Sequence, residues 1–377
     1  MVGFAVEWCD RVRWATRWKA LFAAVAAMMP VLTAGISLPC NSGRILAAEA
    51  AVGGQADFPD AAQINRQLQR GVNVIGYDPL WRDHSRGRFE AGFFRMIREA
   101  GFSHVRINLH PFRDNPRQEP GTLVLRPEYL ETMDWAVRHA LEADLAVILD
   151  FHEFQAMAKD PEALKPAFLA FWKTVSARYR DRPPHLLFEL LNEPNTKMTP
   201  ELWNQFAAEA LAIVRKTNPR RTVVIGPGQW NSISHLDRLV LPEDDRCILV
   251  TIHYYSPFDF THQGAAFAGK ADKVGIRWGT EDDREAVRAD FDRAAAWAEA
   301  HHRPLYLGEF GVYDRAPQED RVQWLSFVTR EAERRGWSWG YWQFDGDFIL
   351  FNIPERKWVE PVLHAIMPES TPQRDAF

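Results

Sequence analysis

The stretch AVILDFHE, residues Ala146–Glu153, joins a short run of aliphatic residues to a cluster of titratable ones. A continuous apolar run without polar alternation is typical of a strand that is buried on both faces, as strands in parallel sheets are. The acidic and imidazole side chains that follow it are costly to bury unless they are paired. The stretch therefore predicts a parallel strand that carries a group of polar residues at its carboxyl end.

Similar short β-rich runs recur along the chain, and longer segments with helical periodicity separate them. The candidate strands are Val72–Gly76, His104–Leu109, Ala146–Phe151, Leu186–Leu190, Thr222–Ile225, Ile248–His253, Leu305–Gly308 and Ser338–Trp342. The candidate helices are Ala91–Ala100, Pro127–Ala143, Pro161–Tyr179, Pro200–Thr217, Ser232–Leu239, Arg284–His301, Glu319–Arg335 and Glu360–Ile366.

Eight alternating units of this kind predict an α/β fold, a closed (β/α)8 TIM barrel that forms a single catalytic domain over residues 51–377. An open doubly wound sheet is the alternative fold. Such sheets often carry a Gly-rich phosphate loop after the first strand, whereas Gly71–Gly76 leads directly into Tyr77. The pattern therefore favours the closed barrel.

The charge balance bears on the class of ligand. The chain has 377 residues, a formal net charge of -5 and 25% charged residues. A balance of this kind provides no basic field for a phosphate backbone, so nucleic acid is not an expected partner. A neutral ligand suits this balance. The 15 tryptophans are many for this length.

Residues 1–50 are typical of an export signal. Four basic residues precede an apolar run from Ala20 to about Leu38, and the small residues of Ala47–Ala50 offer a cleavage site after Ala50. An uncleaved membrane anchor is the alternative, because the apolar run is close to the length of a bilayer span. Both interpretations predict a secreted or periplasmic protein.

The cysteine count excludes two kinds of stabilisation. Cys9 and Cys40 fall in the predicted signal, so the mature chain would keep Cys247 alone. It could form no internal disulfide and no thiolate metal site. We expect no cofactor and no metal.

Polar residues gather at the carboxyl ends of the predicted strands, where a barrel of this type places its chemistry. The ends carry Arg106 to His110, Asp150 to Glu153, Asn192 to Pro194, His253 to Tyr255, Glu309 to Gly311 and Trp342 to Asp345.

Two of these ends resemble a known family. The segment FELLNEP, Phe188–Pro194, resembles the signature of the cellulase family, glycoside hydrolase family 5. The segment LGEFG, Leu307–Gly311, resembles the nucleophile strand of the same family. Asn-Glu-Pro alone is a weak match, but its position after a fourth strand, with Gly-Glu-Phe-Gly on a seventh, is specific. The resemblance extends from about Gly71 to Trp342.

The resemblance implies a role for each matching position. Glu193 would be the acid/base and Glu309 the nucleophile. The implied supporting residues are Asn192 for the sugar 2-hydroxyl, Arg106 and Tyr255 for holding the nucleophile, His152 and His253 for lining the cleavage subsite, and Trp342 for the platform under the sugar.

The chemistry of glycosidic bonds supports this division of roles. Hydrolysis needs one carboxylic acid to protonate the leaving oxygen and one carboxylate to attack or to activate water. Retention of configuration needs a separation of about 5–5.5 Å, and inversion needs about 6.5–9.5 Å. Arg106 would favour the ionised form of Glu309, whereas Glu193 as an acid needs a raised pKa.

Other interpretations of the same residues exist. His110, His152, His253 and Asp150 could form the metal cluster of a TIM-like metallohydrolase. A barrel that only binds polysaccharide as an accessory protein is a further alternative. Most tryptophans are expected in the core, but Trp81, Trp230, Trp278 and Trp342 lie in or next to strand-end loops, where their rings could stack on a sugar. After Trp342, Trp230 is the preferred candidate.

The expected reaction is retaining, endo-acting cleavage of a β-linked glucan, with β-1,4-glucan first. Mannan, β-1,3-glucan or β-1,6-glucan as substrates and transglycosylation in place of hydrolysis remain alternatives. The long segment Phe258–Glu281 is expected to shape one end of the cleft. We expect a monomer.

Overall fold

The computed structural model of the protein describes residues 58–115 and 122–368. Eight parallel strands in sequence order close into one barrel, and the last strand pairs with the first. The strands are β1 (Arg70–Val74), β2 (His104–Leu109), β3 (Ala146–Phe151), β4 (Leu186–Glu189), β5 (Val223–Ile225), β6 (Ile248–Tyr254), β7 (Leu305–Phe310) and β8 (Ser338–Tyr341). The predicted (β/α)8 barrel is confirmed.

Helices alternate with the strands and surround the barrel. The longer ones are α1 (Ala61–Leu68), α2 (Ala91–Glu99), α3 (Pro127–Glu142), α4 (Pro161–Arg178), α5 (Pro200–Thr217), α6 (Glu281–Ala300), α7 (Gln318–Arg334) and α8 (Glu360–Ile366). After β8 the chain forms a small antiparallel pair, β9 (Phe351–Asn352) with β10 (Lys357–Trp358).

Two predicted helices differ from the structure. The weak helical segment between β5 and β6 is a 3-10 helix, Ile233–Arg238, which begins where the Ser232 hydroxyl accepts a hydrogen bond from a nearby backbone N–H. Helix α6 begins at Glu281 instead of Arg284. Its start is set by a capping box, in which Thr280 and Asp283 each satisfy the other's backbone N–H.

Side chains of each strand point alternately into the barrel and toward the helices. In β3, Val147 and Leu149 belong to the large core cluster that includes the helices. Ala146 and Ile148 belong to a separate cluster inside the barrel, and Asp150 follows them on the same side. The barrel interior is therefore apolar near the amino ends of the strands and becomes charged toward their carboxyl ends.

Helix α1, which the sequence analysis did not predict, covers the apolar end of the barrel. Its residues Ala61, Ile64 and Leu68 are buried in the same interior cluster as the strand residues. Asn65 adds a polar contact, since its Nδ2 donates to the carbonyl of Leu305 at 3.0 Å. The helix thus shields the interior from water on the side away from the polar strand ends.

Glycines make room for large side chains inside the barrel. A Cβ atom on Gly71 would lie 2.1 Å from the ring of His104, and one on Gly340 would lie 2.4 Å from the hydroxyl of Tyr306. His104 Nε2 and the Tyr306 hydroxyl are 3.0 Å apart and form a hydrogen bond across the interior. Any larger residue at either glycine would displace this pair.

Residues 1–50, with Cys9 and Cys40, lie outside the described residues, so the predicted export signal and the predicted domain boundary stay predictions. Cys247 is buried and has a free thiol. Across 58–115 and 122–368, we find no helix with the length and apolar character needed to cross a bilayer.

The packing of α1 leads to a stability prediction. We expect Ile64→Ala to lower the free energy of unfolding by about 2–5 kcal/mol, because it leaves a cavity in the interior cluster. Gln67→Ala, at an exposed position of the same helix, should change it by less than about 0.5 kcal/mol. Urea unfolding followed by tryptophan fluorescence measures both, and equal effects would contradict the packing role of α1.

Candidate active site

Arg106 occupies the centre of the polar end of the barrel and is fully buried. Its Nε and Nη2 donate to the two carboxyl oxygens of Glu189 at 2.7 and 2.8 Å, and its Nη1 donates to Glu309 at 2.7 Å. Its Nη2 lies 3.1 Å from Asp150 Oδ2. Burial alone would lower the pKa of Arg106, but these three carboxylates raise it well above its ordinary value. The guanidinium therefore stays charged.

Two side-chain amides complete the surroundings of this guanidinium. Asn73 Oδ1 accepts from Arg106 Nη1 at 2.8 Å, and Asn192 Oδ1 accepts from Nη2 at 2.9 Å. Because the guanidinium holds the amide oxygen of Asn192, the orientation of that amide is determined. Its Nδ2 lies 3.4 Å from the Nε2 atom of His152.

Glu309 lies near the end of β7 and has two donors on its carboxylate. Arg106 reaches Oε1 as described above, and the Tyr255 hydroxyl donates to Oε2 at 3.1 Å. His253 Nδ1 lies 3.6 Å from the same Oε2 atom. Only 5% of the Glu309 side chain is exposed, so its position is determined by these neighbours.

Glu193 follows β4 and has a left-handed backbone with φ of 43°. Such a conformation is unfavourable for a residue with a Cβ atom and is found disproportionately at functional sites. Asn195 Nδ2 donates to the Glu193 carbonyl at 2.8 Å, and His253 Nδ1 lies 2.8 Å from Oε1. The Glu193 side chain is 14% exposed, more than that of Glu309.

The two glutamates approach each other beside His253. One carboxyl oxygen of each and a ring nitrogen of His253 all lie within 4.8 Å of one another. Burial raises the pKa of Glu193 to about 8, although Arg106 opposes the shift. Burial also raises the pKa of Glu309 to about 7. Arg106 lowers the pKa of Glu309, as expected from the sequence, but burial outweighs it. Glu193 therefore holds its proton to a higher pH than Glu309 does.

Trp342 follows β8 directly and lies against His152. The two rings are almost parallel, with centroids 5.4 Å apart and an interplanar angle of 8°. The rings thus form one flat stack, and Trp342 is partly exposed. Trp230, on the loop after β5, is 48% exposed, whereas the loop tryptophans Trp81 and Trp278 are buried in the core.

The structure adds residues that sequence analysis did not select. Glu189, Asn73 and Asn108 are fully buried and belong to the hydrogen-bond network around Arg106. The sequence did contain a signal for these residues. Polar side chains occupy every second position of β2, and in β4 Glu189 lies two residues after Leu187. Alternation of this kind places those groups inside the barrel.

His110 and Glu153, to which the resemblance assigns no role, flank this network. The Glu153 carboxylate accepts from the backbone N–H groups of Phe112 and Arg113 at 2.6 and 3.0 Å. The His110 ring packs 5.0 Å from the rings of both Tyr77 and His152. Glu153 thus supports the loop after β2, and His110 supports the position of His152.

Three of the four residues of the metallohydrolase alternative are hydrogen-bonded to other groups, and the fourth, His110, makes ring contacts with Tyr77 and His152. Asp150 Oδ2 and His152 Nδ1 are 2.6 Å apart, and His253 Nδ1 is directed at Glu193. A metal-ligand spacing does occur in Glu193, His253 and Glu309. Within this set, however, His253 and Glu193 are at hydrogen-bond distance from each other, and Glu309 accepts from Arg106 and Tyr255, so the geometry favours acid–base chemistry over metal binding.

Comparison with known proteins gives a family match. Residues 66–347 match the model described as Cellulase (glycosyl hydrolase family 5). Endoglucanase H of Acetivibrio thermocellus is 29% identical over 324 residues, which cover 83% of this chain and 34% of that protein. The chain thus spans about a third of the length of this relative.

Solved structures agree with this match. Cel5A of Thermotoga maritima, in complex with cellobiose, is 37% identical with a TM-score of 0.77, and the match covers 81% of this chain and 100% of that chain. The cellulose synthase subunit Z (CcsZ) of Clostridioides difficile is 34% identical with a TM-score of 0.74, and the match covers 80% and 99%. The match to the family model, the barrel and the placement of both glutamates together show that the chain belongs to glycosyl hydrolase family 5, the cellulase family.

Proposed function

We propose that this protein is a retaining, endo-acting glycoside hydrolase that cleaves a β-linked glucan, with β-1,4-glucan as its preferred substrate. The observation that carries the proposal is the approach of the Glu193 and Glu309 carboxyl oxygens to within 4.8 Å. That approach agrees with the separation of about 5–5.5 Å for a double displacement and not with the separation of about 6.5–9.5 Å for an inverting reaction.

In the first step, Glu309 attacks the anomeric carbon as Glu193 transfers its proton to the leaving oxygen. The glycosidic bond breaks and a covalent glycosyl-enzyme forms. In the second step, Glu193 takes a proton from water, which attacks the same carbon and releases Glu309. Two inversions at one carbon give net retention.

The hydrogen bonds support this assignment over the reverse one. Glu309 receives N–H and O–H donors from Arg106 and Tyr255, which stabilise a carboxylate. Glu193 is the more exposed of the two and has the higher pKa, about 8, as a proton donor requires. The two environments thus differ in the direction that the two roles need.

The residues around the glutamate pair orient the substrate. The Asn192 amide oxygen is held by Arg106, which leaves its Nδ2 as a donor for the sugar 2-hydroxyl. The partly exposed Trp342 offers a flat face for the ring being cleaved. His253 and His152 complete the walls of the subsite.

Exposed aromatic rings on the loops support endo action on a long chain. Tyr77 after β1, Trp230 after β5, and Phe258 and Phe267 after β6 are 47–67% exposed. The β6 rings connect to the site, because Phe258 stacks on His262 at 4.0 Å and His262 packs on Tyr255 at 5.0 Å. Exposed rings on three of the strand-end loops provide stacking surfaces for several sugars.

Hydrogen bonds join distant parts of the long segment after β6. The side-chain amide of Gln263 donates to the carbonyl of Ile276 at 3.0 Å and accepts from the backbone N–H of Ile276 at 2.9 Å. These two hydrogen bonds join the two halves of the segment. These internal hydrogen bonds support the proposal that the segment shapes one end of the cleft.

The names of similar proteins favour a glucan. Endoglucanase H is named for glucanase activity, and CcsZ is named as a subunit of cellulose synthase. Cel5A was solved with cellobiose and also with mannotriose. We therefore place β-1,4-glucan first and β-mannan second, ahead of β-1,3-glucan and β-1,6-glucan.

We also propose that the protein acts as an exported monomer. The basic residues and the apolar run before Leu38 support export. Cell fractionation of the full chain with a carboxyl-terminal tag tests this. Recovery of the protein in the cytoplasm alone would contradict export.

The reaction can be tested with a panel of β-1,4-gluco-, β-1,4-manno- and β-1,3-gluco-oligosaccharides. We expect internal cleavage of the first series with a β-configured new reducing end, detected by proton NMR before mutarotation. Release of the α anomer would overturn retention, and a strict preference for mannan would overturn the substrate ranking.

Variants in the same panel separate the two roles. Glu309→Ala and Glu193→Ala should each lower turnover by several orders of magnitude. Only Glu193→Ala should recover with an aryl glycoside that has a good leaving group, because such a substrate needs no acid. Trp278→Phe, a change in the core, serves as the control. Comparable rescue of both glutamate variants would contradict the assignment of the two roles.

The pKa values predict a narrow pH profile for kcat/KM. Activity should fall below about 7, where Glu309 gains a proton and loses its nucleophilicity. It should also fall above about 8, where Glu193 loses the proton that it must donate. On a substrate with a good leaving group, the alkaline fall should disappear and the acid fall should remain. Disappearance of the acid fall instead would reverse the two roles.

A further inference from the structure

We propose that Asp150 is a positioning residue for His152. It determines which ring nitrogen of His152 carries the proton, and it leaves the other nitrogen, which faces Asn192, as a hydrogen-bond acceptor. The inference rests on the proposed function, because Asn192 and His152 are the groups proposed to hold the sugar in the cleavage subsite. Asp150 itself lies behind them in the barrel wall.

The first step is the direction of the hydrogen bond between Asp150 and His152. Asp150 Oδ2 lies 2.6 Å from His152 Nδ1 and 3.1 Å from Arg106 Nη2. A guanidinium can only donate, so Oδ2 must accept from Arg106. Asn108 Nδ2 directs its two hydrogens at Asn73 Oδ1 and Asp150 Oδ2, at 3.1 Å each, so its contact of 3.4 Å with His152 Nδ1 needs no acceptor there. With Arg106 and Asn108 both donating to Oδ2, this oxygen accepts from His152 as well, and the proton therefore lies on Nδ1.

The second step is the state of the other ring nitrogen. Burial lowers the pKa of His152 well below its ordinary value, and the nearby charge of Arg106 lowers it further. The ring is therefore neutral and has a single N–H, which the bond to Asp150 places at Nδ1. His152 Nε2 carries a lone pair and can only accept.

The third step is the match between His152 and Asn192. The Asn192 amide cannot turn over, because its oxygen accepts from Arg106 at 2.9 Å. Its Nδ2 faces His152 Nε2 at 3.4 Å, so a donor meets an acceptor. One amide hydrogen is directed at the imidazole, and the second remains for the sugar. With the proton on Nε2, two N–H groups would face each other and the amide would move.

The alternative role for Asp150 is charge compensation for Arg106 alone. Two variants separate the roles. In Asp150→Asn the amide oxygen still accepts from Arg106 and His152, while the negative charge is lost. In Asp150→Ala both the acceptor and the charge are lost. If Asp150 acts by positioning, the first variant should keep most activity and the second should not.

The direct measurement is the nitrogen NMR spectrum of the imidazole rings in the full-length chain, with the His152 signals assigned by comparison with His152→Ala. We expect a proton on Nδ1 in the wild-type chain and in Asp150→Asn, and its displacement in Asp150→Ala. A wild-type chain with the proton on Nε2 would overturn the inference. This spectrum keeps the test valid even where Asp150→Ala does not fold.

Kinetics test whether Asp150 acts through His152. We expect Asp150→Ala to lower kcat/KM on a β-1,4-gluco-oligosaccharide by about 10–100-fold, mostly in kcat, and Asp150→Asn to lower it far less. In a His152→Ala background, Asp150→Ala should cost no more than about twofold further. An equal loss in both backgrounds would show that Asp150 acts elsewhere.

The outcomes distinguish this inference from the proposed function. A folded wild-type chain that cleaves no oligosaccharide contradicts the proposed function. An active chain with the His152 proton on Nε2, or with equal losses in both backgrounds, contradicts only the role of Asp150. Thermal unfolding of each variant shows that its loss of activity is not a loss of fold.

Discussion

The arrangement of the site depends on one buried cation, Arg106, among three carboxylates inside the barrel. Breaking such an ion pair leaves an uncompensated charge, at a cost of about 3–5 kcal/mol. Each partner is consequently held in place, with distances of 2.7 Å to both Glu189 and Glu309. Glu189 has no proposed contact with substrate, so its effect on the reaction is to fix the guanidinium that aligns Glu309 and Asn192.

The barrel makes this cluster possible because its two ends differ. At the amino ends of the strands, helix α1 and the inward residues such as Ile148 form an apolar, covered layer. At the carboxyl ends, the interior is polar, with Arg106 and its carboxylate partners. Burial at this polar end raises the pKa of both Glu193 and Glu309, because removal from water penalises a carboxylate. The neighbours of each glutamate then set the order of the two pKa values.

Much of this could be predicted from the sequence. The eight strands were located to within two residues at each end, since apolar runs and helical periodicity are local signals. The motifs around Glu193 and Glu309 indicated the family, and polar strand ends indicated the position of the site. Helix α1 was missed because its apolar face of Ala61, Ile64 and Leu68 is short. This face is buried only once the barrel is closed.

The sequence by itself therefore determined the barrel, the family and the glutamate pair, because each depends on residues close together in the chain. Only the tertiary structure decided how Glu189, Asp150 and Asn73 are used, since their partner Arg106 is on a different strand. The exposure of Trp230 and the burial of Trp81 were decided in the same way. Closure of the barrel brings distant strands within hydrogen-bond distance, and the chemistry of each buried polar group depends on the partners that closure supplies.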